Sequence, residues 1–406
     1  MTRSFDNEIS RKNTGSVKWE IRQDRDDPGK WVRTDAYFGK DRMLPMWVAD
    51  MDLACPEHVV AALKKRADHP IFGYTMAGTD YFDAVCAWME RRHGWAPDPG
   101  WIVTAPGVVP ALHVLVRALT APGQKVLVQQ PVYYPFFSAI QKNQRHLVSN
   151  SLVLKDGRYV MDLDDLEKKT ADPDLTLAIL CSPHNPVGRV WTPDELRAFG
   201  EICLKNNVRV ISDEIHCDLL FNRTTFTPFA ALGHDFAGNA VICTAPSKTF
   251  NLAGLQASNI IIQDPGIRKA FADEMAASAM GRLNPFGIEA CKAAYTHGDA
   301  WLDRLLTYLD GNLEALTGFF SREIPFIPII APQGTYLVWF DCRALNLEPL
   351  ALRDLMLNTA RVVLDEGYIF GPEGAGFERI NIACPRPVLM EAARRIADAV
   401  KTVRKR

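Results

Sequence analysis

Through the middle of the chain, short runs rich in aliphatic and β-branched residues recur: KVLVQQ (125–130), LTLAILC (175–181), VRVISD (208–213), AVICTA (240–245) and ASNIIIQ (257–263). Longer stretches with apolar residues at helical spacing separate them. This alternation predicts a mostly parallel sheet covered by helices. Several runs, such as Ala178–Ile179–Leu180, are continuously apolar, as strands buried on both faces require. Upstream, Pro56 opens a helical pattern carrying Val59, Val60, Leu63 and Ala67, and a second helix is expected at 79–93. The first fifty residues read as an irregular polar arm. After about residue 300 the texture changes to a helix over 301–320, a strand-like TYLVWFDC (335–342), a helix over 349–360 and a final helix over 386–402. The expected fold is α/β, a three-layer, mostly parallel sheet with a smaller α+β C-terminal domain. Its divisions are an arm at 1–50 packing with the small domain, a large domain at 51–295 and the small domain at 296–406.

Composition narrows the class of protein. With 406 residues, 48% apolar and 23% charged, the chain has ordinary globular composition and enough length for two or three domains. Forty-six Lys plus Arg against forty-eight Asp plus Glu give a net charge of −2 without a basic block, which argues against nucleic-acid or membrane partners. The nine cysteines are odd in number, scattered and never spaced C-x-x-C, and read as reduced core residues. The segment MTRSFDNEIS lacks the apolar stretch of a secretory signal, and no run of about 18 apolar residues occurs, so the cytoplasm is the expected location. Neither metal-ligand spacing nor G-x-G-x-x-G is present. Asp50 and Asp52 read as turn formers rather than as a glycosidase pair.

Chemistry is expected just beyond the strands, because ligands of open α/β sheets bind at the strands' carboxyl ends. The run 175–181 leads into SPHNPVG with Asn185; 208–213 leads into Asp213, Glu214 and His216; 240–245 leads into PSKTFN with Lys248. Taken singly, these are a turn residue, a helix cap and a solvated charge. Together they converge on one edge of the predicted sheet.

These strand ends, with MWVADMD (46–52), HPIFGYT (69–75), SPHNPVGRVW (182–191), SDEIHCDL (212–219), SKTFNLAGLQAS (247–258) and GFERINIACPR (376–386), resemble the fold-type I pyridoxal-phosphate enzymes of the aminotransferase class I/II superfamily. Within it they look most like the cystathionine β-lyase branch of carbon–sulfur lyases. Asn185, Asp213, Lys248 and Arg379 carry the superfamily likeness, whereas MWVADMD and DEIH carry that of the branch. The resemblance implies a pyridoxal 5'-phosphate enzyme acting on an amino acid, with β-elimination from cystathionine or another S-substituted cysteine as its reaction and transamination as the alternative. An effector-sensing transcription regulator on the same fold would need a helix-turn-helix domain, of which the first fifty residues show no pattern.

The resemblance also assigns residues. Lys248 would supply the amine for the cofactor's aldehyde, Asp213 the carboxylate for its pyridine nitrogen and Asn185 a donor to its phenolic oxygen. His216 would sit near the ring; many aminotransferases have Tyr there. Tyr133 would stack on the ring, with Tyr134 as the alternative. The amides of Gly107 and Val108 and the hydroxyl of Ser247 would meet the phosphate, joined by Tyr74 from a partner subunit, so that a homodimer completes each site. Arg379 would take the substrate's α-carboxylate, with Trp47 and the backbone of Ala49 and Asp50 lining the pocket; Trp47 fits a core position equally well. Two departures stand out: Ala245 where Ser or Thr is common, and Gln256 where a phosphate-binding Arg is common.

Overall fold

In a computed structural model, residues 4–23, 30–39, 42–221 and 224–404 are described. The chain divides into two compact units. One comprises Cys55–Arg304 with Gln333–Thr335, and the other Met1–Ala54, Leu305–Pro332 and Tyr336–Arg406.

The larger unit is built on a seven-stranded sheet. Its strands are β1 (Ile102–Ala105), β2 (Lys125–Val128), β3 (His146–Ser149), β4 (Leu175–Cys181), β5 (Arg209–Asp213), β6 (Ala240–Thr244) and β7 (Ser258–Ile261). Their order across the sheet is β1-β7-β6-β5-β4-β2-β3. All neighbours are parallel except β7, which runs antiparallel to both β6 and β1. Every residue of β6 is buried, and β4 is buried at all positions but Thr176, so the unbroken apolar runs of the sequence belong to strands covered on both faces.

The helices of this unit include α1 (Glu57–Asp68), α2 (Thr79–His93), α3 (Val108–Leu119), α4 (Pro193–Lys205), α5 (Pro246–Thr249) and α6 (Pro265–Ala277). The apolar side of α3, with Ala111, Leu112 and Leu115, shares one core with Ile179, Ile211, Val241 and Ile260 of the sheet and Phe271 of α6. Each of the larger side chains, fully buried, contributes about 1.5–3 kcal/mol. Helix α4 starts on Pro193 inside a capping box in which Thr192 and Glu195 each accept from the other's backbone amide.

The smaller unit carries a four-stranded sheet ordered β8 (Ile329–Ile330), β9 (Leu337–Asp341), β11 (Phe377–Asn381) and β10 (Asp365–Glu366), antiparallel throughout. Two long helices accompany the C-terminal part, α7 (Asp299–Glu323) and α8 (Arg386–Arg404). The first of them begins in the larger unit and ends in the smaller one. The arm is less irregular than expected. It contains a short helix, Val17–Glu20, a strand pair Ile21–Gln23 with Trp31–Arg33, and Leu44–Pro45 paired in parallel with Val362–Val363. The helix expected over 349–360 is Pro349–Asp354 continued by a π-helical turn, Leu355–Ala360. All nine cysteines are free, seven of them buried. Among the described residues no helix is long and apolar enough to cross a membrane.

Candidate active site

Strands β4, β5 and β6 lie side by side and in parallel, and their register puts Cys181, Asp213 and Cys243 level with one another. The backbone continues that line: Ser182 N donates to Asp213 O (3.0 Å) and Glu214 N to Cys243 O (2.9 Å). Asn185, Asp213 and Lys248 therefore leave the sheet from three neighbouring strand ends. Asn185 is buried in a turn that closes through Gly188 N to His184 O (2.8 Å), and its amide N–H points at Cys181 Sγ (3.4 Å). His184 is a structural member of this turn. Its Nε2 lies 2.9 Å from Pro131 O, and burial pushes the imidazole down to about 4, so it is neutral.

Asp213 is fully buried. Burial pushes its carboxyl up to about 7, against the opposing pull of the Ile215 amide (3.2 Å) and the positive charge of Lys248. A carboxylate so placed has a strong need for a cation. Its neighbour Glu214 is pushed up to about 8 by burial, while accepting from Phe229 N (2.8 Å) and Ser212 Oγ (2.9 Å). His216 sits in the buried turn after β5.

Lys248 is the third residue of α5, a single turn following β6 and closed by Phe250 N to Pro246 O (2.9 Å) and Leu252 N to Ser247 O (3.0 Å). Ser247 precedes it, half-buried, and Ala245 occupies the N-cap without a side-chain cap. Tyr133 follows β2, the next strand across from β4, and is half-buried; Tyr134 is more exposed. Gly107 is the N-cap of α3 and Val108 its first residue, and no side chain caps this end. The unclaimed amides of a helix start suit a phosphate. Gln256 is exposed in a left-handed turn, and Tyr74 is 97% exposed with the Arg282 guanidinium 5.2 Å from its ring centre.

The remaining predicted residues belong to the smaller unit. Arg379, on β11, is buried and ion-paired with Asp365 of the neighbouring strand; its Nη2 also donates to Trp47 O (3.0 Å), and its guanidinium lies 4.9 Å from the Phe370 ring. Trp47 is half-buried, stacked on Trp31 (5.9 Å) and donating to Lys18 O (3.1 Å). Ala49 O accepts from the Tyr336 hydroxyl (2.9 Å). Asp50 and Asp52, expected as turn formers, are ion-paired, both with Arg11 (2.7 and 2.9 Å) and Asp52 with the wholly buried Lys18 (2.7 Å).

Sequence reasoning missed several partners. Asp365 sits in no recognisable string. Asp218 lay inside SDEIHCDL without a role, and its contact His93 is 125 residues away in sequence. His93, Cys217 and Asp218 bring three donor atoms within 4.8 Å, yet both Asp218 oxygens already accept hydrogen bonds, so the cluster is a satisfied network rather than a ligand set.

An acid pushed upward by burial, a lysine on the adjacent strand end and an uncapped helix start on the same sheet fit an aromatic aldehyde phosphate with a basic ring nitrogen. Residues 43–396 match the aminotransferase class I and II family, and the chain belongs to that family of pyridoxal-phosphate enzymes. Its relatives include cystathionine beta-lyase PatB of Bacillus subtilis, 46% identical over 98% of this chain and 100% of that protein. Among solved structures, cystalysin from Treponema denticola, which contains a pyridoxal 5'-phosphate cofactor, superposes with a TM-score of 0.92 at 39% identity, covering 99% of this chain and 100% of that one. The pyridoxal-phosphate-bound C-S lyase of Staphylococcus hominis gives 0.89 at 32% identity, with 98% of each chain covered.

Proposed function

We propose that this chain is a pyridoxal-phosphate-dependent carbon–sulfur β-lyase that cleaves cystathionine or another S-substituted cysteine, with one water consumed, to a thiol, pyruvate and ammonia. The observation that carries this reading is the set Asn185, Asp213 and Lys248 on three adjacent strand ends, in a chain related from end to end to cystathionine beta-lyase PatB.

When bound, pyridoxal phosphate supplies an electron sink for the carbanion formed at the substrate's Cα. Lys248 Nζ would hold the cofactor through its aldehyde and would serve as general base for the substrate's Cα proton. Asp213 would accept from the ring nitrogen and favour its protonated form, and that positive charge would lower the acid's pKa. Asn185 would donate to the phenolic oxygen, Tyr133 would stack on the ring and His216 would lie close to it. The Gly107 and Val108 amides and the Ser247 hydroxyl would meet the phosphate. Arg379 would pair with the α-carboxylate, with Trp47 and Ala49 completing that recognition, and the substrate's sulfur would leave Cβ as thiolate.

A homodimer belongs to this reading. Ile71, Phe72, Tyr74 and Met76 form an exposed apolar segment, which a second copy would cover while receiving Tyr74 at its phosphate. The test is pyruvate release from L-cystathionine by the holo-protein with no 2-oxo acid present. Sustained release over many turnovers is expected; release that stops after one turnover, and resumes only with a 2-oxo acid, assigns transamination instead.

A further inference from the structure

Helix α5 is four residues long, too short to hold its own shape, so the position of the lysine depends on what grips the turn from outside. The grip on one side is Thr249, directly after Lys248. Its hydroxyl donates to Asp218 Oδ2 (2.7 Å), and this carboxylate is buried. Asp218 is itself fixed from α2: Trp88 Nε1 donates to Oδ1 (3.1 Å), and His93 Nε2 lies 2.8 Å from the same oxygen. On the other side, Phe250 is wedged among Trp88 (5.4 Å), Trp301 (5.7 Å) and Tyr295 (6.2 Å). A Cβ at Gly298 would run into the same ring.

We infer that Asp218 is a positioning residue, which, through the Thr249 hydroxyl and backed by His93 and Trp88, sets where Lys248 stands on its turn. This rests on the role proposed for Lys248. A positional error of about 1 Å at a reacting group costs on the order of 10²-fold in rate, so a single hydrogen bond at the neighbouring residue is enough to matter. The arrangement also gives Asp218, the next-to-last residue of the SDEIHCDL string, a reason to be an acid: Asp213 serves the site, and Asp218, five residues on, serves the lysine that acts in it.

The experiment compares wild type, Thr249→Val and Thr249→Ser. It follows the rate at which apoprotein takes up pyridoxal phosphate, the pH at which the visible band of the bound cofactor changes, steady-state constants and apoprotein melting. For Thr249→Val we expect uptake slowed and kcat lowered about 10-fold or more, KM within about twofold and the band's transition displaced, with Thr249→Ser restoring all of these. A folded Thr249→Val protein with wild-type uptake, band and kcat overturns the inference. If that variant does not fold, Asp218→Ala removes the same acceptor from the other side, with the same expected and overturning results. Failure of the underlying reading is separable: wild type would then show no visible band and no borohydride-fixed cofactor on Lys248.

Discussion

Asp213 and Arg379 are both buried at strand positions, one in each unit, and their electrostatic surroundings are opposites. Arg379 is neutralised at home: Asp365 lies against it, and the Trp47 carbonyl takes a further hydrogen bond. Burial still raises the Asp365 carboxyl, against the pull of Arg379, so the pair is held by geometry as much as by charge. Asp213 has one amide and the nearby charge of Lys248, too little to offset burial, which pushes its carboxyl up to about 7. The first group has its charge met within the chain, and that pairing fixes its orientation. The second is buried with its charge only partly met, an arrangement that a bound cation would relieve. A buried charged group can thus be completed by its neighbours or left short of one.

The contrast can be broken experimentally, starting at the lysine. Lys248→Ala should lose the visible band and lower turnover by about 10⁴-fold, seen in pyruvate release; multiple turnovers at a near-native rate would rule out Lys248 as the base. Next in size, Asp365→Ala strands the Arg379 charge and should destabilise the apoprotein by about 3–5 kcal/mol in denaturant unfolding. An unchanged midpoint would mean that Arg379 does not need this partner.

The pH response of Asp213 sharpens the other half. Its folded value, about 7, lies above that of an unfolded carboxylate, so the protonated acid favours the fold at low pH. That contribution is complete below pH ~4 and is lost as pH rises toward 7, amounting to no more than about 4 kcal/mol. Glu214, raised to about 8, adds a loss of the same sign. Asp213→Asn apoprotein should therefore show a flatter fall in stability from pH 4 to 7 than wild type, and saturating pyridoxal phosphate should flatten the wild-type curve likewise. Equal slopes in all three would show that Asp213 is already compensated. The smallest effect is expected for Arg379→Lys, which keeps charge and loses the planar fork: KM up roughly 10-fold with kcat nearly unchanged.

The centre of the sheet was legible in the sequence because strands such as β4 and β6 are buried on both faces, and continuous apolar runs such as 175–181 mark such strands and their length. What escaped were β1 and β3, four residues each, and the reversal of β7, since direction in a sheet leaves no mark on composition. In the site, Asn185, Asp213 and Lys248 could be read because strand ends announce themselves as an apolar run followed by a polar residue. Asp365 and His93 could not, because each matters only through a partner distant along the chain, and neither sits in a pattern that names that partner. Tyr74 shows the opposite limit: its string is recognisable, while its surroundings on one chain are mostly solvent.

The smaller unit is assembled from chain segments separated by some two hundred and fifty residues, Met1–Ala54 and the stretch from Leu305 onward. Leu44–Pro45 pairs with Val362–Val363, and at 5–20 residues per second the second partner follows the first by roughly 15 to 65 seconds. Before that partner is made, every residue of the larger unit has been synthesised, while Leu44, buried in the finished fold, still lacks it. Chain order and folding order therefore differ: a segment that precedes the larger unit waits for strands that follow it.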